Sequence, residues 1–441
     1  MARFFDTLKI DFGKCPEGCT ACEEACKKAA AGNGGGPSRI AVVHASSAAL
    51  GSASTCNQCS QPACAEICPA RAISKSDTDG VVRIDSRKCI GCGLCSLACP
   101  YGGIIYGKEE HRSFKCEMCQ GNPECARACP EGVLRFVNDI EPLRRYIIAD
   151  DLFTPGVGLC SGCPIETMSR FTGKVLGEDI VIFGTPGCCS RISQGVGLKA
   201  SARVPCYFAL MTNAASTAAG VKRYYQKTGR DTTVVCMVGD GATADVGFAG
   251  LSGAAERGEN IIYICFDNEA YMATGIQKSG TTPFAAWTFT SPVGKYSAGR
   301  RGPAKYLPLI MADHGIPYTA TATVSHLEDY ARKLQKAKQV KDGLAYIHIF
   351  SPCYTGWRAD ENSGVEMSRV AVETDYFPLW ECERGRYSFT YRPKKRRPIQ
   401  EFTKLAGRFH HLGAAEIAQF QAIVEERISL IESLVGATQH R

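Results

Sequence analysis

Sixteen of the chain's 25 cysteines stand in four groups of four within the first 129 residues. The third group, Cys89, Cys92, Cys95 and Cys99 followed by Pro100, matches the iron–sulfur pattern C-x2-C-x2-C-x3-C-P residue for residue. The other groups are Cys15, Cys19, Cys22 and Cys26; Cys56, Cys59, Cys64 and Cys68; and Cys116, Cys119, Cys125 and Cys129. The first of these is looser and lacks the proline that follows the others. The spacing predicts four [4Fe-4S] clusters, and therefore electron transfer.

The ligand sets follow from the way two-cluster ferredoxins are built. In those proteins the first three cysteines of a run bind one cubane and the fourth binds the other. Applied to the middle groups, this rule predicts one cluster at Cys56, Cys59, Cys64 and Cys99 and one at Cys89, Cys92, Cys95 and Cys68. Applied to the outer groups, it predicts one at Cys15, Cys19, Cys22 and Cys129 and one at Cys116, Cys119, Cys125 and Cys26.

Disulfides and zinc are the alternatives for so many cysteines. Disulfides favour small secreted domains, but Met1–Lys9 carries charge where a signal peptide would be apolar. Zinc prefers two CxxC pairs for each ion, so groups that end in x3-C-P argue against it. We therefore expect iron–sulfur clusters, and with them a reducing location such as the cytoplasm.

A second motif begins at Gly239. A β-branched run, Thr232–Val238, leads into Gly239, Asp240, Gly241, Ala242 and Thr243. The next such run ends at Asp267-Asn268, with 25 residues between Gly241 and Asp267. Glycines at a helix start let a diphosphate approach the backbone, and Asp240, Asn268 and the carbonyl of Ala270 offer the oxygen ligands that Mg²⁺ takes. The spacing is similar to the thiamine diphosphate motif G-D-G-x(24–27)-N-N, with Asp267 replacing its first Asn.

The residues around this motif resemble one family. Asn268–Gln277, Ser351–Trp357 and Tyr391–Gln400 are similar to the β subunit of 2-oxoacid:ferredoxin oxidoreductases, and the similarity covers about Asp150 to Leu412. It adds Thr274 and Gly275 to the cofactor-binding residues. It also implies a fifth cubane on Cys160, Cys163, Cys188 and Cys353, with the neighbouring Cys189 as an alternative to Cys188. Cys206, Cys236, Cys265 and Cys382 are expected to be structural.

The resemblance implies an activity as well. Such enzymes decarboxylate a 2-oxoacid oxidatively, transfer its acyl group to coenzyme A and pass two electrons singly to the nearest cubane. In this family the glutamate that activates thiamine comes from another subunit. The chain is therefore expected to need partner subunits, with ferredoxin or a flavin/NAD subunit as the acceptor, and its own catalytic residues stay unassigned.

One departure from the family bears on the substrate. Many members, the pyruvate enzymes included, have Asn where this chain has Ala273, and a methyl group leaves room for a larger acyl group. Phe284, Trp287 and Phe289 add aromatic side chains nearby in sequence; they are either part of a substrate pocket or ordinary core. A β chain fused to a four-cluster ferredoxin looks most like phenylglyoxylate dehydrogenase, which would make benzoyl-CoA.

The sequence is also compatible with other substrates and functions. Pyruvate or a branched-chain 2-oxoacid is the alternative substrate. A non-oxidative thiamine decarboxylase would have no use for five clusters. A pure electron carrier, with the second half as a scaffold, would lack thiamine and Mg²⁺.

Composition excludes further classes. The net charge of +7 is mostly dispersed, and its one cluster, Lys394–Arg397, has no interleaved aromatic residues as a nucleic-acid site would. The most apolar stretch, Val204–Val221, contains several polar residues, which predicts a buried helix rather than a membrane span.

The pattern of the sequence changes near residue 150. Residues 1–140 read as a loop-rich ferredoxin-type domain with four clusters. In residues 150–412, short apolar strands alternate with helices such as Val246–Arg257 and Leu327–Lys338, which predicts a doubly wound α/β domain that binds thiamine diphosphate at the carboxyl ends of its strands. Residues 413–441 have helical periodicity and are expected to dock on the domain or on a partner.

Overall fold

The computed structural model describes residues 5–10, 15–16, 18–32, 35–44, 51–59, 62–76, 79–99, 102–139, 151–154, 156–193, 201–393 and 395–438. The chain divides into two compact units, Met1–Arg145 and Tyr146–Arg441. Residues 140–150, between the two predicted domains, lie outside the described residues, as do Pro100 and Lys394.

The first unit consists of four antiparallel strand pairs, β1–β8, β2–β3, β4–β5 and β6–β7, with four short helices. The strands are β1 Phe5–Ile10, β2 Ile40–His44, β3 Gly51–Thr55, β4 Ile73–Lys75, β5 Val82–Ile84, β6 Ile104–Gly107, β7 Arg112–Lys115 and β8 Leu134–Asp139. The helices are α1 Ala21–Gly32, α2 Ala63–Glu66, α3 Leu94–Ala98 and α4 Glu124–Arg127.

The four helices share one feature. In each, the second residue is the third cysteine of a group and is buried: Cys22, Cys64, Cys95 and Cys125. The loosely spaced first group thus has the same local structure as the other three. Cys22 and Cys125 share one small core with Ile40 and Leu134, and Cys64 and Cys95 share another with Ile73 and Val82. The outer groups therefore pair with each other, and so do the middle groups.

The second unit is built on an eight-stranded sheet with the order β10-β9-β11-β12-β16-β15-β17-β18. Its first six strands are parallel and the last two are antiparallel. A separate hairpin, β13–β14, completes the strands. The strands are β9 Ile180–Gly184, β10 Cys206–Phe208, β11 Thr233–Gly239, β12 Ile262–Asp267, β13 Val293–Gly294, β14 Ser297–Ala298, β15 Tyr318–Thr323, β16 Ala345–Phe350, β17 Leu379–Glu383 and β18 Arg386–Tyr391.

Helices cover this sheet. They are α5 Pro164–Leu176, α6 Ala214–Lys227, α7 Phe248–Glu256, α8 Leu307–Asp313, α9 Leu327–Gln339, α10 Tyr354–Trp357, α11 Gly364–Glu373, α12 Gln400–Thr403 and α13 Ala414–Thr438. Central strands β11, β12 and β16 are apolar almost throughout because side chains on both of their faces are buried. The α/β prediction is confirmed.

The prediction of one buried helix over Val204–Val221 is wrong in its first half. Pro205 cannot donate a helical hydrogen bond, and Cys206 to Phe208 pair instead with β9 at the edge of the sheet. Helix α6 begins only at Ala214. No helix among the described residues has the length and apolarity that crossing a bilayer requires.

The C-terminal helix α13 packs on the second unit through Phe420, Val424 and Ile431, which are buried in its cores. The basic cluster helps to hold it. Arg396 forms ion pairs with Asp375 and, at 3.0 Å, with Glu432 of α13, and Arg397 pairs with Glu373 and Glu401. These two arginines therefore have acidic partners within the chain.

Candidate cofactor and cluster sites

Two neighbouring parallel strands deliver the predicted thiamine motif to one edge of the sheet. Strand β11 ends at Gly239 and β12 at Asp267, and their register pairs Gly239 with Phe266. Asp240 and Asn268 follow these strands directly, so both side chains lie at the carboxyl edge. A helical turn, Ala242–Val246, and then α7 begin beside them. The edge is where ligands bind in doubly wound sheets.

Three oxygens converge there in the way that a magnesium ion requires. The side-chain amide of Asn268 points one terminal atom at two acceptors, 2.7 Å from the carbonyl oxygen of Ala270 and 3.2 Å from Oδ1 of Asp240. Neighbouring ligands of octahedral Mg²⁺ stand about 3 Å apart, because each lies about 2.1 Å from the ion. With the amide oxygen at that point, Asn268 stands at the spacing of a neighbouring ligand from both the Ala270 carbonyl and Asp240. The residues therefore fit the ion.

A second carboxylate, that of Asp267, is linked to Asp240 through the hydroxyl of one threonine. The hydroxyl of Thr281 lies 3.1 Å from Oδ2 of Asp240 and 2.8 Å from Oδ1 of Asp267. Oδ2 of Asp267 is 2.9 Å from Nε2 of His348. Burial, together with the charge of Asp267, raises the pKa of Asp240 well above its usual value. Asp267 thus turns away from the ion site, which explains how it can replace the first Asn of the motif.

The backbone between the two ligand residues is held in an uncommon conformation. Glu269 lies between Asn268 and Ala270 with φ of 62°, in the left-handed region. Its buried carboxylate pairs with Arg408 and accepts a hydrogen bond from the Tyr376 hydroxyl at 2.5 Å. Sequence reasoning missed Glu269, Arg408 and Tyr376, because no local pattern links residues so far apart in the chain.

A cavity of about 370 Å³ opens in front of the three oxygens. Its lining includes the predicted residues Gly239, Asp240, Gly241, Ala242, Asn268, Ala270, Ala273 and Thr274, and also Thr185–Arg191. No heavy atom lies within 4 Å of the point where a Cβ on Gly239 would stand, so backbone is open to a ligand there. Of the other two predicted residues, Thr243 is buried and its hydroxyl donates to the Gly239 carbonyl at 2.8 Å, and Gly275 is not among the lining residues.

The predicted aromatic residues lie elsewhere. Phe284 lines a different cavity, of about 570 Å³, together with Tyr306 and Phe420. The Arg358 guanidinium lies over the Trp287 ring, 3.8 Å from the ring centroid, and Trp287 also contacts Phe289. None of these three residues lines the cavity that contains Ala273. Phe284, Trp287 and Phe289 therefore give no support to an aromatic substrate pocket.

The thiols predicted for the fifth cluster come together at the same edge. Burial raises the pKa of Cys163 to about 12, and nearby Cys188, Cys353 and Cys160 add to the rise. Burial likewise raises the pKa of Cys188 to about 11, with contributions from Cys353, Cys160 and Asp240. Cys188 thus lies close both to the other three thiols and to the ion site. Cys189 is buried and has Cys188 and Cys163, but not Cys353, among the groups that raise its pKa.

In the first unit the predicted exchange of fourth cysteines is visible in the packing. One small cavity is lined by Cys68 together with Cys89, Cys92 and Cys95, and another by Cys26 together with Cys116, Cys119 and Cys125. Burial raises the pKa of Cys64 to about 11, and Cys56, Cys99 and Cys59 raise it further. Burial also raises the pKa of Cys15, beside Cys19 and Cys129. Cys68 and Cys26 thus lie with the first three thiols of their partner groups, Cys99 lies near Cys64, and Cys129 lies near Cys15.

The thiols of each set lie near one another but do not converge on one point. Among the described residues, no three Cys, His, Asp or Glu side chains converge closely enough to hold a single metal ion. A cubane binds its four thiolates on four separate irons, so it needs no such convergence.

Comparison with known proteins agrees with both units. A 4Fe-4S dicluster domain matches residues 48–139, and the C-terminal TPP-binding domain of thiamine pyrophosphate enzymes matches residues 187–349. The NADH-dependent phenylglyoxylate dehydrogenase subunit beta of Aromatoleum evansii is 39% identical over 100% of this chain and 99% of its own. The chain belongs to the family of thiamine diphosphate-binding β subunits of 2-oxoacid oxidoreductases.

Two further members of this β-subunit family each match about two thirds of this chain. The pyruvate synthase subunit PorB of Methanothermobacter thermautotrophicus is 46% identical over 63% of this chain and 96% of its own. The ketoisovalerate oxidoreductase subunit VorB of Pyrococcus horikoshii is 38% identical over 66% of this chain and 96% of its own. The chain is thus a subunit of an oxidoreductase, and its relatives are named for several 2-oxoacids.

Proposed function

We propose that this chain is the thiamine- and electron-transfer subunit of a multisubunit enzyme that oxidises a 2-oxoacid and coenzyme A to acyl-CoA and CO2. The observation that carries the proposal is the shared cavity at the sheet edge. Its wall holds the three converging oxygens of Asp240, Asn268 and Ala270, and also Cys188 of the fifth thiol set. The thiamine cofactor, at which the 2-oxoacid reacts, would therefore lie next to the first electron acceptor.

The cofactor roles follow from these residues. Asp240, Asn268 and Ala270 would hold Mg²⁺ and Gly239 and Gly241 would border the diphosphate, whereas Cys160, Cys163, Cys188 and Cys353 would hold the nearest of five [4Fe-4S] clusters. Thiamine diphosphate, when bound, supplies the carbon nucleophile for the 2-oxoacid. The chain places that cofactor, excludes water and offers the first electron acceptor.

The chain also requires partners under this proposal. Asp240 is the only acidic residue among the described residues that line the cavity, and it faces the metal site. The carboxylate that activates thiamine would therefore come from another subunit. Ferredoxin or a flavin/NAD subunit would take the electrons from the first unit, and the assembly would work in a reducing compartment such as the cytoplasm.

Phenylglyoxylate is the substrate that we propose. Among the relatives described above, only the phenylglyoxylate dehydrogenase subunit matches both units over nearly its whole length. Ala273 lines the cavity and leaves space beside the thiamine site. Pyruvate is the second candidate, because the pyruvate synthase subunit has the higher identity, 46% over 63% of this chain.

The test begins with anaerobically purified complex, in which iron, acid-labile sulfide and thiamine are counted. We expect about twenty irons per chain, four for each of five cubanes, with one thiamine. Near sixteen irons and no thiamine would reduce the protein to an electron relay. CoA-dependent turnover is then compared between phenylglyoxylate and pyruvate. Faster turnover of pyruvate would overturn the substrate assignment and leave the enzyme class intact.

A further inference from the structure

Lys115 is a buried lysine among the cysteine groups of the first unit. It is the last residue of β7, and its side chain is almost fully inaccessible to solvent. Its ammonium donates to the carbonyl oxygens of Val82 and Cys116, the latter at 2.8 Å, and lies 3.3 Å from Oε1 of Gln58. Three acceptors match the three N–H groups of a charged ammonium.

The Gln58 side chain is oriented so that it presents oxygen to this ammonium. Its Nε2 donates to the Cys116 carbonyl at 2.8 Å, and its Oε1 accepts from the backbone N–H of Val82 at 2.8 Å. Both contacts fix the amide in one orientation. Every acceptor around Lys115 is therefore neutral, and among the described residues no carboxylate lies within ion-pair distance of it.

A buried charge without a counter-charge is costly, so a buried lysine is normally paired. In the proposed holoprotein the clusters bring negative charge near Lys115, because two cluster thiols lie around it. Its ammonium donates to the carbonyl of Cys116 and to the carbonyl of Val82, and Val82 shares a small core with Cys64. These two thiols belong to different predicted clusters, one from each cluster pair.

The two pairs of cysteine groups meet beside this charge. Cys56, a ligand of the Cys64 cluster, packs with Cys116 in a small core that also contains Val81 and Met118. The middle pair and the outer pair of cysteine groups thus meet where Cys56 and Cys116 meet. We call this place the junction, and define it by Cys56, Gln58, Cys64, Lys115 and Cys116.

We propose that Lys115 tunes electron transfer across the junction by raising the reduction potentials of the clusters bound through Cys64 and Cys116. Each reduction adds one electron to a cubane and makes it more negative, and no atom is gained or lost. A fixed positive charge beside the two cubanes stabilises the reduced form of each. The clusters on either side of the junction thereby accept electrons more readily than they would without it. This inference rests on the cluster assignment in the proposed function.

The test is Lys115→Met in the full complex, followed by a redox titration in which EPR signals of the reduced clusters are recorded. With iron content unchanged, we expect two cluster signals to move to lower potential. The expected change is at least tenfold in the equilibrium constant of reduction, or about 59 mV for one electron. The remaining signals should keep their potentials.

Lys222→Met is the matched control, because Lys222 is a buried lysine of the second unit whose ammonium donates to the Thr232 carbonyl. It should leave all potentials unchanged. If Lys115→Met keeps its iron and its potentials, or if Lys222→Met moves the same signals, the proposal is wrong.

A second variant covers the case in which Lys115→Met loses its clusters. Gln58→Glu keeps the lysine and places a carboxylate beside it, so the same two signals should again move to lower potential. Unchanged potentials at full iron content, or loss of iron from both variants, would overturn the tuning role. Wild-type protein with far fewer than about twenty irons would instead contradict the cluster assignment itself.

Discussion

The indole nitrogen of Trp357 donates a hydrogen bond to the backbone carbonyl oxygen of Asn268 over 3.0 Å. Trp357 is fully buried and lies under the Arg408 guanidinium, 3.6 Å from the ring centroid. Arg408 in turn pairs with Glu269, the residue between two of the proposed Mg²⁺ ligands. Trp357, Arg408 and Glu269 thus form one buried network that holds the backbone of the proposed Mg²⁺ ligands.

Trp357→Phe keeps the aromatic ring and removes this hydrogen bond. We expect the affinity of the complex for thiamine diphosphate in the presence of Mg²⁺ to fall about 10–100-fold, as is usual when a residue behind a metal ligand is changed. Isothermal titration of cofactor-depleted complex measures the change.

Trp380→Phe is the matched control for that experiment. Trp380 is equally buried, and its indole nitrogen donates to the Tyr306 hydroxyl at 3.0 Å. Its replacement should leave the cofactor affinity unchanged. Equal losses in the two variants would show that Trp357 acts through general stability and not through Asn268.

The Glu269–Arg408 ion pair should also be a major source of stability for the second unit. Arg408→Leu leaves the buried carboxylate of Glu269 with Tyr376 as its remaining side-chain partner, and we expect a loss of about 3–5 kcal/mol in the free energy of unfolding. All three tryptophans of the chain lie in this unit, so a denaturant titration followed by tryptophan fluorescence reports on it.

Two further variants identify the cause of that loss. The double variant Glu269→Gln/Arg408→Leu should recover part of the stability, because no unpaired charge is then buried. Arg384→Leu, which breaks the exposed ion pair with Asp342, should have little effect. A double variant less stable than Arg408→Leu would point to lost packing.

Local spacing predicted the parts of these sites that depend on neighbours in sequence. Each of the four cysteine groups lies within a short segment, and so do the Gly239–Thr243 turn and Asp267-Asn268. Within each unit, the structure brings the predicted residues of a site together. Sequence reasoning missed Arg408, which is 139 residues from Glu269, and Lys115, which is 57 residues from Gln58. Both are charged residues that would ordinarily be assigned to the surface. Their burial depends on partners that only the folded chain supplies.

Ala273 provides a test of substrate choice. Ala273→Asn adds an amide to the cavity in front of the proposed metal ligands, so it supplies a hydrogen bond and removes space. We expect the ratio of kcat/KM for pyruvate to that for phenylglyoxylate to rise about tenfold or more, within the range that one pocket contact provides. Steady-state CoA-dependent turnover of both acids gives this ratio.

Ala273→Leu separates the two effects of that change, because leucine has the same number of side-chain heavy atoms and the same branching as asparagine but cannot hydrogen-bond. It should lower turnover of phenylglyoxylate and give no gain with pyruvate. A ratio that stays unchanged in both variants would remove Ala273 from the residues that determine specificity.

Cys188 and Cys189 differ in burial and in the thiols whose charge raises their pKa, and this difference predicts which of them binds iron. Cys188 lies with Cys160, Cys163 and Cys353, whereas Cys189 is buried and does not have Cys353 among the groups that raise its pKa. Cys188→Ala should therefore lower the iron content by up to about four per chain, the content of one cubane, and abolish electron transfer from the 2-oxoacid. Cys189→Ala should keep the full iron content, since alanine replaces a small buried side chain. Both variants are purified anaerobically and analysed for iron and sulfide. Iron lost from Cys189→Ala alone would assign the cluster to Cys189. Iron lost from neither variant would mean that neither cysteine is the remaining ligand beside Cys160, Cys163 and Cys353.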